Sequence, residues 1–186
     1  VKISIRCNAL WKRPEFAAVD GFGHPDPDPV GDGQESVWDY PRPAIAEPTE
    51  RRIQVLHRGI ELVDSRRAWR TLETSHPPTY YIPPEDVAMD YLVPNNRRTM
   101  RERKGQARYW DTQIGEETIV AGARAYPDPT PSFAGIRDFL AFYPDPFDKC
   151  LVVGEAVTPQ PGQFYGGWIS RYEVGPFKGV AGSRFW

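Results

Sequence analysis

The sequence predicts a mainly β domain of many short, antiparallel strands with rigid connections and one or two short helices. Two features of composition and one of pattern lead there. Proline fills 20 of the 186 positions, about twice its usual share, and proline sits at turns, strand ends and helix starts. Six Trp, nine Tyr and nine Phe add side chains that favour strands. Strand-like alternation is clearest where Arg108, Trp110, Thr112 and Ile114 interleave with Tyr109, Asp111 and Gln113.

Residues 1–35 read as an N-terminal extension that ends in a Pro/Gly-rich linker. In its last part, "GFGHPDPDPVGDGQE", seven of the residues are Gly or Pro and hardly any is apolar. Such a segment buries too little surface to offset its ordering entropy. A single β domain is expected over residues 36–186. Within it, "RRIQVLHRGIELVDS" reads as a hairpin turning at His57-Arg58-Gly59. "AWRTLET" continues extended, and "TYYI" is a short strand that stops at Pro83-Pro84. "PEDVAMDYL" then starts with proline and two acids, the signature of a short helix. "NNRRTMRERKG" reads as a basic loop.

A second hairpin is expected in "QARYWDTQIGEETIVAGARAYP", with Gly115 at its turn. "TPSFAGIRDF" reads as a short helix capped by Thr130 with Pro131 first. "LAFYP" and "KCLVVGEAV" pair as a last hairpin across "DPFD". The aromatic-rich tail from Thr158 onward wraps the domain.

The totals exclude several classes. With 23 basic and 25 acidic residues, the chain lacks the excess of a general nucleic-acid binder. No run approaches a membrane span, and the first residues show no secretion signal. Two cysteines, Cys7 and Cys150, and three histidines without a Cys-x-x-Cys motif argue against a disulfide scaffold or a structural zinc. The expectation is a cytoplasmic protein with reduced thiols, no metal and no cofactor.

Four segments, "ETSHPPTYYIPPEDV", "KGQARYW", "AYPDPTPSFAGIRDFLAFYP" and "TPQPGQFYGGW", resemble the bacterial family called domain of unknown function 427, in its longer form. The resemblance spans residues 36–186 and implies a β-tent-like fold, two small antiparallel sheets pinned at one edge. The family is sometimes labelled nucleotidyltransferase-like. This sequence departs from it at two places. Arg101, Glu102 and Arg103 stand where Cys-x-Trp usually precedes the Lys-Gly, and Arg124 stands where a Trp is usual. The nucleotidyltransferase label fits poorly. Its chemistry needs paired carboxylates on a strand to hold Mg²⁺, and the one Asp-x-Asp, Asp26-Pro27-Asp28, lies in the Pro-rich segment.

Candidate ligand-binding residues are Glu73, His76, Tyr81, Lys104, Tyr109, Trp110 and Tyr126. The leading expectation is a small polar or anionic molecule in an aromatic-lined pocket, with Lys104 supplying charge and Glu73 an acceptor. Glu73 and His76, three apart, also suggest an acid–base pair of a hydrolase or transferase. A third possibility is a non-catalytic module docking a protein through the exposed rings of "FYGGWISRY". Composition assigns neither a reaction nor an oligomeric state.

Overall fold

A computed structural model of the chain describes residues 25–162 and 165–186. Along the chain run β1 (Glu35–Ser36), β2 (Ile45–Pro48), β3 (Ile53–His57), β4 (Ile60–Ser65), β5 (Trp69–Glu73) and β6 (His76–Tyr81). Next come β7 (Leu92–Arg101), β8 (Gly105–Ile114), β9 (Glu117–Ala125) and β10 (Ala141–Phe142). The last are β11 (Lys149–Val152), β12 (Glu155–Ala156), β13 (Thr158–Pro159), β14 (Trp168–Ile169) and β15 (Glu173–Val174). Helical backbone among the described residues is confined to short 3-10 turns.

The fold is mainly β, as expected, but three sheets carry it rather than two. Their strand orders are β12-β11-β3-β4, β2-β5-β6 and β10-β9-β8-β7. All pairs within them are antiparallel. The first hairpin turns at Arg58 and Gly59, both with positive φ (49° and 74°), the tight geometry whose twist matches that of paired strands. The β8–β9 hairpin closes at Gly115 as expected.

Strand β6 stitches the molecule together. Neighbouring residues on a strand point to opposite faces. Tyr80 joins one core with Ile53, Val55, Phe142 and Trp168, and Tyr81 joins another with Tyr109, Tyr126, Phe133 and Ile136. Both tyrosines are fully buried, so β6 has a hydrophobic layer on each side.

Several local expectations change. "PEDVAMDYL" forms two separate 3-10 turns, Pro84–Asp86 and Met89–Tyr91, instead of one helix. Val87 between them is extended and bridges to Val63, while the Ala88 amide donates to the Leu62 carbonyl. The sheet thus claims the backbone that a helix needs. "TPSFAGIRDF" is a 3-10 turn over Pro131–Ile136, and the Thr130 hydroxyl leaves its expected cap to bond the Arg103 carbonyl at 2.6 Å.

The run "NNRRTMRERKG" is mostly strand β7, an edge strand paired with β8; only Glu102–Lys104 turn. The expected last hairpin does not form. β10 pairs with β9, and β11 pairs with β3 and β12. Cys150 on β11 is a free, buried thiol, and burial pushes its pKa up to about 12. Cys7 and most of the 1–35 extension lie outside the described residues. From Pro25 on, the chain runs beside the tail: the Asp28 amide donates to the Gly175 carbonyl, and β1 pairs in parallel with β15.

The tail does wrap the domain. Trp168 is fully buried and its indole donates to the Phe142 carbonyl at 3.0 Å. That removes the principal ring of "FYGGWISRY" from any docking surface. A salt-bridge network ties β1 and β15 to the sheets. Arg51 donates to Glu173 (2.6 Å) and Glu35 (3.2 Å), and Arg70 binds Glu35 and Glu47.

Replacing Glu173 by Ala leaves Arg51 half-buried with one acid fewer, and also strips the acceptor used by Ser170. Losing one partner of such a pair costs about 3 kcal/mol. Denaturant unfolding of Glu173→Ala is expected to show a loss of that order.

Candidate functional site

Four segments enclose a cavity of about 250 Å³. The tip of the β5–β6 hairpin contributes Glu73 and His76, the β7–β8 turn Lys104, the end of β9 Arg124 and Tyr126, and the tail Gln160 and Gly166. Arg101 and Arg103, from the same β7–β8 connection, line it as well.

Local rules put these side chains there. Glu73 and His76 face each other in the β5–β6 register across a turn in which Ser75 has φ 67°. Arg124 and Tyr126 are two apart at the end of β9, so they share a face. Lys104 is held by its neighbour. Gly105 has φ +95°, and a Cβ there would lie 2.8 Å from the Asp128 carbonyl oxygen. The Lys-Gly pair is therefore a backbone requirement that aims the lysine inward.

The Lys104 ammonium lies 5.8 Å from the Tyr81 ring centre and 5.5 Å from that of Phe133. These faces hold a cation by its charge. No carboxylate among the described residues forms a salt bridge with it. Burial lowers its pKa to about 8; Arg124 and Arg101 push the same way, while Tyr126 and Glu73 oppose them.

Arg124 is 6% exposed. It donates to the Tyr143 hydroxyl, and its guanidinium carbon stands 4.6 Å from the Tyr143 ring centre. Its Nε is buried without a hydrogen-bond partner among the described residues. No acid among the described residues forms an ion pair with it. Burial opposes the charge, but the phenols of Tyr81, Tyr143 and Tyr126 outweigh it and hold the pKa above the ordinary arginine value. The group stays cationic.

His76 Nδ1 is 3.0 Å from the Thr74 carbonyl oxygen, which assigns its proton to that nitrogen and leaves Nε2 as an acceptor. Burial lowers its pKa, against the pull of Glu73, so the ring is neutral near pH 7. The cavity wall holds four cationic side chains, Arg101, Arg103, Lys104 and Arg124, against two carboxylates, Glu73 and Glu102.

The seven sequence candidates separate. Glu73, His76, Lys104 and Tyr126 share the cavity. Tyr81 is buried behind Lys104, its hydroxyl near Arg124 but making no hydrogen bond of normal geometry. Tyr109 lines a neighbouring groove of about 910 Å³ that shares Arg101, Gln160 and Tyr165 with the cavity. Trp110 does not belong: it packs on the Ile53–Trp168 core, the opposite face of β8 from Tyr109. Sequence reasoning passed over Thr71, Thr79 and Gln160. Gln160 lies inside the quoted "TPQPGQFYGGW"; the two threonines carry no signal beyond strand alternation.

Small antiparallel sheets around a pocket rich in cations and phenols define the class: a β domain with a polar, positively charged cavity. The chain belongs to the family described as domain of unknown function (DUF427), matched over residues 45–153. That span contains the β5–β6, β7–β8 and β9 walls of the cavity; the tail wall lies beyond it. Arg101, Arg103 and Arg124, where the sequence departs from the resemblance described above, all line the cavity. No curated protein matches the chain.

Side-chain NMR of the lysines is expected to show Lys104 titrating near pH 8. In Arg124→Met the midpoint moves up, because a neighbouring positive charge has gone.

Proposed function

We propose that this domain binds a small anionic ligand in the cavity beneath the tail, in the cytoplasm. One observation carries the reading: Arg124 is buried with phenols as its neighbours and with no acid among the described residues. An uncompensated buried charge is costly. The same chain handles Arg51 and Arg70 differently, pairing both with glutamates. An incoming anion completes at Arg124 what those glutamates complete elsewhere. Lys104 adds a second cation without a salt bridge, and Arg101 and Arg103 raise the potential at the mouth. The cavity volume suits a ligand of a few heavy atoms.

The Glu73–His76 pair supports a second reading, a hydrolase or transferase acting on the bound anion. His76 Nε2 is an acceptor without a hydrogen bond among the described residues, and Glu73 lines the same space. That is the arrangement from which a general base works.

Sulfate tests the first reading, because it does not titrate near neutrality. Calorimetry on the full chain is expected to detect sulfate binding that weakens as pH rises through about 8. Below that value Lys104 is charged; above it the ammonium loses its proton and its attraction. His76 does not confuse the result, since burial has already left its ring neutral there. Arg124→Met is expected to bind sulfate at least about tenfold more weakly, the worth of a charge-assisted hydrogen bond. Its unliganded form is expected to melt no lower than wild type, since a buried unpaired charge has been removed. Unchanged sulfate affinity in Arg124→Met would sink the reading.

A further inference from the structure

Lys104 has features that anion binding alone does not require. Its ammonium lies between the rings of Tyr81 and Phe133, opens on the cavity, and makes neither a hydrogen bond nor an ion pair among the described residues. Lys178 provides the contrast: its Nζ donates to the Trp186 carbonyl at 2.5 Å. A lysine desolvated beside other cations yields its proton easily and becomes a nucleophile. The surrounding groups suit proton movement. His76 offers an open Nε2, Glu73 a carboxylate and Tyr126 a phenol, all lining the same cavity.

We propose that Lys104 condenses with the carbonyl carbon of a small oxo-acid whose anionic group rests against Arg124. The proposal depends on the anion-binding reading above and adds the ligand's class to it. In the first step the neutral amine attacks the carbonyl carbon, a C–N bond forms, and a proton passes from the nitrogen to the carbonyl oxygen to give a carbinolamine. In the second step that hydroxyl takes a further proton and leaves as water, the nitrogen lone pair forms the C=N bond, and the iminium nitrogen gives a proton back to a neighbouring base or solvent. The net change is amine plus carbonyl to imine plus water, with no oxidant or reductant. Near neutral pH the low pKa leaves far more of Lys104 as free amine than an ordinary lysine has. Arg101, Arg103 and Arg124 favour the neutral amine, Glu73, Glu102 and an ionised Tyr126 disfavour it, and His76 is neutral.

Glyoxylate is a suitable probe, carrying an aldehyde beside a carboxylate. Full-length protein is incubated with glyoxylate, reduced with borohydride and mapped by peptide mass spectrometry. A carboxymethyl group is expected on Lys104 at roughly tenfold or greater yield than on exposed Lys149. Sulfate present in excess is expected to suppress labelling at Lys104 and leave Lys149 unchanged. Lys104→Arg, which keeps the charge, is expected to bind sulfate and to gain no label on the peptide that spans the β7–β8 turn. If wild type binds sulfate but labels Lys104 no more than Lys149, the imine proposal is overturned and the anion reading stands. If sulfate neither binds nor protects, the anion reading itself fails. Both comparisons use wild-type protein, so they hold even where a variant misfolds.

Discussion

The fold rests on two guanidinium groups. Arg51 and Arg70 sit where β1, from near the N-terminal side, meets β15, from near the end of the chain. Glu35 and Glu173 are register partners in that parallel pair, and each is bound by one or both arginines. Glu173 also accepts from the Ser170 amide and hydroxyl. Burying ions is favourable only when such extra bonds satisfy them. Here the network holds the tail against the sheets. Between its ends, Trp168 anchors in the core, the Thr79 hydroxyl donates to the Gly166 carbonyl, and the Gln160 side-chain Nε2 donates to the Lys178 carbonyl. These bonds hold in place Gln160 and Gly166, the tail's contribution to the cavity lining. Gly179 shows how close the closure is: a Cβ there would come 1.9 Å from the Pro161 carbonyl oxygen.

The same physics is left incomplete a short way along the molecule. Around Arg51 and Arg70, three glutamates meet two guanidinium groups, so neither cation is left without an acid. Around Arg124 the neighbours are phenols, which shelter a guanidinium by ring contact and hydrogen bonding but do not neutralise it. Lys104 repeats the pattern with Tyr81 and Phe133. Stability alone favours an apolar residue at either position. Departures from local consistency of this kind concentrate at functional sites, which is why the cavity, and not the better-formed ion network, is the place to look for a ligand.

Much of this was legible in the sequence, and the misreadings have physical causes. The β3–β4 and β8–β9 hairpins were readable because alternation and a turn glycine are local signals. The Lys104-Gly105 pair was readable as a motif, though its cause, the close approach of Asp128, is not local. The run after Asn95 looked like a solvated loop because its residues are charged. It is an edge strand, where charge is the usual protection against further pairing. The 140–157 hairpin failed because the two segments found partners in β9 and β3, a choice set by distant strands. Trp110 was the avoidable error: adjacent to Tyr109 on a strand, it had to face the other way. That Arg124 is buried could not be read at all, since composition gives a charged residue on a strand no face.

The family's occasional nucleotidyltransferase label can be weighed against these residues. Nucleotidyl transfer uses converging carboxylates to hold Mg²⁺ against the phosphates. Among the described residues no group of three or more His, Cys, Asp or Glu side chains converges as a metal site. Asp28 of the one Asp-x-Asp lies instead beside Gly175, tied by its amide to the tail. The cavity's own charge runs the other way, with cations outnumbering carboxylates. On the anion-binding proposal, a site of that sign meets an anion directly, through guanidinium and ammonium groups. On that same proposal a phosphate binds as a counter-ion to Arg124 and Lys104, both of which line the cavity.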